Sequence, residues 1–187
     1  MRTTVTVTGA PGDSAWVPVS YYQNPFSVSL EYSPSTDAAG PPAGSVQHTF
    51  DDPQVPHQPQ SITRSGTTAT VVDPGHGLLT GDCVMVFASG DPNLNTPIGI
   101  GADITVVDAN TYTYTVANTG LTAALPTAQV ITLRVINHAQ LSSTGTTPPG
   151  ASRLDGNYAF PIRACRLKMS ALSAGSASLT VTQGAGR

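Results

Sequence analysis

The sequence predicts an all-β protein, an antiparallel, jelly-roll-like β-sandwich carrying a second small β-barrel or sandwich inserted in its chain. Three observations point there. First, long stretches alternate apolar with polar residues, the period of a pleated strand with one buried face. Second, Thr, Ser, Gly, Pro and Val together dominate the 187 residues, and apart from Ala and Leu good helix formers are scarce. Third, the best half-buried strands lie near the two ends of the chain, and two Pro/Gly-rich linkers bracket what lies between.

Residues 2–8 (RTTVTVT) alternate and are β-branched, so they predict a strand, with 9–13 as a turn. Residues 16–22 (WVPVSYY) hold the single Trp and two of the six Tyr, and Pro18 restricts them to an edge or an irregular arm. In residues 24–32 (NPFSVSLEY), Phe26, Val28, Leu30 and Tyr32 share one face. A loop is expected over 33–44, then a strand over 45–50 with Val46, His48 and Phe50 on one side. Residues 51–60 (DDPQVPHQPQ) have three prolines and no alternation, which marks a linker.

A new unit opens with strand, Gly turn and strand over 61–72. Turn-rich 73–82 leads into a strand at 83–87 and a loop at 88–101. Residues 104–107 and 111–116 form a hairpin about the turn at 108–110, with Tyr112 and Tyr114 on one face. Residues 119–127 read as irregular, 129–136 as a last strand, and 142–150 (SSTGTTPPG) as a second linker. At the end, Cys165, Leu167 and Met169 alternate with Ala164, Arg166 and Lys168, and Ala177, Leu179 and Val181 with Ser178, Thr180 and Thr182. With a short break at 172–176, these runs predict a hairpin whose apolar face needs a partner sheet. The expected domains are therefore 1–58 plus 138–187, and 61–136 inserted. Such nesting is tolerated because loop closure costs only ~0.6 kcal/mol per doubling of length.

Composition narrows the function classes. Charged residues make up 10%, and eight basic residues against eleven acids give a net charge of −3. No basic stripe exists for a phosphate backbone, so no nucleic-acid partner is expected. No run approaches the ~20 apolar residues of a membrane helix, and residues 1–12 lack the apolar core of a secretory signal. Cys83 and Cys165 stand far apart with no CxxC spacing; two buried thiols are expected, with a disulfide left open.

No P-loop, GxGxxG, HExxH, GxSxG or EF-hand pattern occurs, so no enzyme, cofactor or metal is expected. His48 with Asp51 and Asp52 is the best local cluster; it reads as a cation site or, more simply, as carboxylates capping a turn. His76, between two glycines, reads as a residue bonding a nearby carbonyl. The stretch Trp16, Tyr21, Tyr22, Phe26 has two readings, an interface arm of hot-spot residues or one end of the core. Ser/Thr-rich faces with few charges guard strand edges poorly, which suits strands completed by neighbouring subunits.

Residues 46–53 (VQHTFDDP) and 155–183 (DGNYAFPIRACRLKMSALSAGSASLTVTQ) resemble a group of small structural proteins of tailed bacteriophages. There, a VQHTFDDP-like segment leads after a variable stretch to a DGNYAFPVRAIRL-like strand and a SGSVTLTV-like end. Residues 134–141 (RVINHAQL) look like part of the segment preceding the DGNYAFP run. The insert, with TATVVDPGHGLLTGDCVMV and ITVVDANTYTYTV, is similar to a β module recurring in phage tail and fibre proteins. The resemblance covers about half of the outer domain and most of the insert. Departures are Cys165, at a usually branched apolar position, and the insertion itself.

The resemblance implies a non-enzymatic virion protein on the capsid exterior that decorates and cements the shell. Its partners would be the major capsid protein and neighbouring copies of itself. Contacts would come from residues 2–22, the linker at 51–60 with Asp51 and Asp52, and the tail ending at Arg187. The alternatives are a tail, head–tail connector or head-fibre component, and a carbohydrate-binding module with Trp16, Tyr112 and Tyr114 as a sugar platform.

Overall fold

In the computed structural model, the described residues are 1–23, 25–33, 42–117, 121–122, 128–144, 153–172 and 175–184. They are all-β, with one short 3-10 turn at Pro92–Leu94. The expected loop over 33–44, the irregular stretch over 119–127, the second linker and Arg187 fall largely or wholly outside these residues.

The chain divides into two compact units, Met1–Phe50 with Ile136–Arg187, and Asp51–Val135. The first contains β1 (Arg2–Thr8), β2 (Gly12–Asp13), β3 (Val17–Pro18), β4 (Phe26–Ser33) and β5 (Ala43–Thr49). The second contains β6 (Ser61–Ser65), β7 (Thr68–Val72), β8 (Cys83–Phe87), β9 (Ala102–Asp108), β10 (Thr111–Thr115), β11 (Leu121–Thr122) and β12 (Gln129–Leu133). The chain then returns to the first unit with β13 (Ile136–Thr144), β14 (Arg153–Tyr158), β15 (Ala164–Ala171) and β16 (Ser176–Thr182).

The first unit is a sandwich of two antiparallel sheets, β1-β16-β4-β14 and β13-β5-β15-β2, with β3 also pairing β15. Alternation dictates its core. Phe26, Val28, Leu30 and Tyr32 of β4 meet Cys165, Leu167 and Met169 of β15 and Ala177, Leu179 and Val181 of β16, all buried. Packed strands of this kind gain roughly 25 cal/mol per Å² of apolar surface removed from water. Pro18 stands at the edge, in β3.

Two expectations are corrected here. β15 and β16 do not form a hairpin: they lie in different sheets, facing each other across the core. Each run has one apolar face and takes a central place, β16 between β1 and β4 and β15 between β5 and the β2/β3 edge, so each finds partners distant in sequence. The face of β15 carrying Ala164 and Arg166 is also covered. Arg166 is fully buried, its guanidinium 2.9 Å from the Asp13 carboxylate, donating to Gln47 Oε1 at 2.8 Å, and 4.8 Å from the Trp16 ring.

The second unit is one curled sheet, β11-β6-β7-β10-β9-β8-β12. Ile62, Val71, Val84, Val86, Ile104, Tyr112, Tyr114 and Val130 fill its concave side. The expected strand over 129–136 ends at Leu133. There the Asp51 carboxylate accepts the Arg134 N–H at 2.6 Å and Asp82 accepts the Val135 N–H at 2.8 Å, so side chains replace the ladder. The stretch expected to open the second linker at Ser142 instead extends β13 to Thr144.

Gly101 is the tightest backbone position in this unit. Its φ is +80°, and an added Cβ would lie 2.6 Å from Cys83 Sγ and 2.7 Å from the Val84 carbonyl oxygen. Gly101→Ala combines a left-handed backbone penalty with overpacking, so a loss of about 2–4 kcal/mol is expected in this unit. Pulsed thiol labelling checks it unit by unit: Cys83 becomes reactive at lower denaturant, and Cys165 of the sandwich keeps its wild-type protection. Both buried cysteines are outside any disulfide, and burial pushes Cys165 up to about 12.

Candidate functional site: an aromatic patch on the sandwich

The surface chemistry of the sandwich unit concentrates where three segments distant in sequence converge. β5 carries His48 to its end, and Phe50 follows just past the strand. β14 ends on Tyr158, and Phe160 follows it. β13 supplies His138 and pairs Ile136 with His48. The β4 partner of Tyr158 is Phe26, and their rings stack with centroids 5.1 Å apart.

Tyr158 is the hub. Fully buried, it meets His138 at 4.9 Å, His48 at 5.2 Å and Phe160 at 5.7 Å, all near edge-to-face. His48 contacts Phe50 at 5.7 Å and Phe160 at 5.9 Å, and the two Phe rings lie 6.0 Å apart. These separations suit aromatic attraction, about 0.5–1.5 kcal/mol per pair beyond burial. Strand alternation puts His48 and Tyr158 inside, whereas the residues just beyond the strands turn out: Phe50 is 52% exposed and Phe160 45%. Ile136, 42% exposed, adds an aliphatic member.

The buried part of the cluster is held neutral. Burial, reinforced by the charge of His138, pushes His48 down to about 4. Burial first, then Cys165, pushes the Tyr158 phenol well above its usual range. His48 Nδ1 and the Tyr158 hydroxyl make no hydrogen bond among the described residues. His138 Nδ1 accepts the backbone N–H groups of Gln140 and Leu141 at 3.2 and 3.3 Å, which fixes the bulge in β13. An aromatic surface with an aliphatic margin suits adhesion to another apolar surface.

The residues singled out from sequence fall in different places. Trp16 and Phe26 are 6% and 3% exposed and belong to the interior, so the interface-arm reading is corrected for both: Trp16 covers Arg166, and Phe26 packs on Tyr158. Tyr21 and Tyr22 are at the surface, edge-to-face at 5.7 Å, with the Arg163 guanidinium 5.0 Å over Tyr21. Asp52 caps a turn, accepting the Gln54 N–H at 2.9 Å, whereas Asp51 accepts the distant Arg134 N–H. Arg187 lies outside the described residues. Phe50, Tyr158 and Phe160 were not singled out as site residues: Phe50 was expected on the His48 face of a strand over 45–50, which ends instead at Thr49, and no strand was expected over 153–158, where β14 lies.

His57, His76 and Asp82 make bonds within the second unit. His76 does bond a nearby carbonyl: its Nε2 and the Asp108 oxygen are 3.0 Å apart, and its Nδ1 accepts the Leu78 N–H. His57 pairs with Asp73 at 2.8 Å. Both Asp82 oxygens accept backbone N–H groups. Among the described residues, no group of three or more His, Cys, Asp or Glu could hold a metal ion. No helix of the described residues is long and apolar enough to cross a membrane. A cleft of about 600 Å³ beside Asn93, Asn95, Ile98 and Tyr114, and a groove of about 420 Å³ beside Gln47, Asn137 and Lys168, have no carboxylate, imidazole or thiol in their linings. The sugar platform is corrected as well. Trp16, Tyr112 and Tyr114 are 6%, 0% and 3% exposed and offer no stacking face.

The described residues define an all-β protein with a half-exposed aromatic patch on its sandwich unit. No family model matches the chain, and no curated protein matches it. Among solved structures, the phage phi92 endosialidase is similar over 48% of this chain and 15% of its own, with 24% identity and a TM-score of 0.36. The matched part spans less than a sixth of that protein, and at this score the likeness carries no argument about activity.

Proposed function

We propose that this chain is a non-enzymatic bacteriophage virion protein that decorates and cements the capsid shell by binding the major capsid protein. One observation supports the reading above others. The segments that resemble phage structural proteins, VQHTFDDP, RVINHAQL and DGNYAFP, supply His48, Phe50, His138, Tyr158 and Phe160, and these side chains meet in one half-exposed aromatic patch. In this reading the patch is the contact with the shell. Cementing needs many modest contacts, each interface burying about 1,600 Å² in total, multiplied by avidity over neighbouring capsomers.

The test is co-sedimentation of purified protein with capsids stripped of it. Phe50→Ala with Phe160→Ala is expected to weaken binding by about 100-fold, the scale of two hot-spot side chains. The same variant gives up ring contacts to His48 and Tyr158, so its thermal midpoint should fall, and binding is measured well below that midpoint. Full retention of binding by the double variant would remove the patch from the interface. Copy number separates the rival reading of a tail, connector or head-fibre component: hundreds per particle fit cement, a dozen or fewer fit the tail. A tag placed beside Ile98, 97% exposed, should decorate heads in micrographs.

A further inference from the structure

Among the described residues, β1 is the one full-length strand edge of the sandwich that none of the usual devices protects. Edges are normally blunted by charge, proline, bulges or brevity. Among the described residues, β14 carries the Arg153–Asp155 ion pair, β13 is bulged between Asn137 and Ser142, and β2 and β3 are two residues each. β1 is seven residues long, pairs with β16 without a register shift, and has no proline and no charge beyond Arg2.

The hydrogen-bond phase of this edge is fixed by its ends. The Met1 amino group donates to the Gln183 carbonyl and the Gln183 N–H to Met1, and the Gly9 N–H donates to Gly175. In an antiparallel ladder bonded pairs alternate with unbonded ones. Odd-numbered residues of β1 therefore face β16, and the N–H and C=O groups of Arg2, Thr4, Thr6 and Thr8 point away from the sheet. The side chains alternate too: Thr3, Val5 and Val7 turn toward the core, with Val5 only half-buried, and Thr4 and Thr6 are exposed.

We infer that β1 pairs antiparallel with β1 of a second copy about a two-fold axis at Val5, joining two sandwiches into one continuous sheet. This register sets Thr4 against Thr6 of the second copy and Arg2 against Thr8, each pair closing two N–H···O bonds from groups that already point outward. Val5 meets Val5 in the unbonded position, and Thr3 meets Val7, so the core faces stay on one side and the half-buried Val5 is covered. The Thr4–Thr180 and Thr6–Ser178 hydroxyl pairs, both 2.9 Å, continue across the junction as a ladder. Charge fits this direction as well, because antiparallel pairing holds the two Arg2 side chains at opposite ends of the strand pair. The inference takes only its setting from the virion reading above, since a second copy is one of the neighbours a shell protein would meet.

The experiment is sedimentation velocity on the full chain, with disulfide trapping for register. Wild type should be a reversible dimer. Thr6→Pro removes an outward N–H and leaves the β16 ladder intact, so it should weaken association by about tenfold or more with the fold retained. Thr4→Lys with Thr6→Lys should do the same by apposed like charges, with salt partly restoring the dimer. Under oxidation, Val5→Cys should give a covalent dimer and Thr3→Cys should not. A wild-type monomer at the highest soluble concentration, a dimer unchanged in both edge variants, or equal trapping through both cysteines would overturn the pairing. Capsid co-sedimentation of Thr6→Pro separates the two proposals: loss of the dimer with shell binding kept leaves the virion reading standing.

Discussion

Arg166→Ala is expected to cost the sandwich unit about 3–5 kcal/mol, a large share of the ~5–15 kcal/mol typical of a domain. The side chain is fully buried on the outward face of β15, where alternation alone would put it in water. Its guanidinium is held by the Asp13 carboxylate, by Gln47 and by the face of Trp16. Removing it leaves a carboxylate that is only 18% exposed without its countercharge, and Gln47 without its donor, in a cavity under Trp16. Arg166→Lys keeps the charge but not the planar fork, so its loss should be smaller. The measurement is favourable, because the single Trp of the chain sits on this guanidinium and its fluorescence reports this unit. A loss below about 1 kcal/mol in urea titrations would show that the cluster contributes little.

Acid should weaken the same unit through His48. In the folded chain this imidazole titrates at about 4 in place of 6.5, because burial and the charge of His138 oppose its proton. Between those values the unfolded chain binds a proton that the folded chain refuses. The folded state is therefore at its full relative stability above pH 6.5, loses stability as pH falls through 6.5, and stops losing it near pH 4. The shift corresponds to a total on the order of 3 kcal/mol. His48→Phe, which suits the surrounding rings, should abolish this component. Equal loss between pH 7.5 and 4.5 in wild type and His48→Phe would assign the acid sensitivity to other groups.

Much of the fold was legible because strands announce themselves locally. The faces of β4, β15 and β16 follow from period-two alternation, and the turns at Gly66 and Asp108–Asn110 from residues that favour tight reversal. The hairpin expected from β15 and β16 was not legible, since alternation says that a strand has a buried face but not which sheet buries it. The division of Trp16, Tyr21, Tyr22 and Phe26 between core and surface had the same cause. Their types fit both fates, and only the position of Arg166 and Tyr158 beneath them decided. The aromatic patch was spread over three stretches, one before the insert and two after it, and each shows only one or two of its members.

The amino-acid order by itself determined an all-strand protein, because β-branched and small polar residues in alternation leave no face for a helix to bury. Tertiary structure alone decided which strands became neighbours, why a charged Arg166 is interior, and that Phe50 and Phe160 share one surface. Those outcomes depend on contacts between residues a hundred positions apart. The free energy of such contacts resides in the packed pair, where no single stretch of sequence can show it.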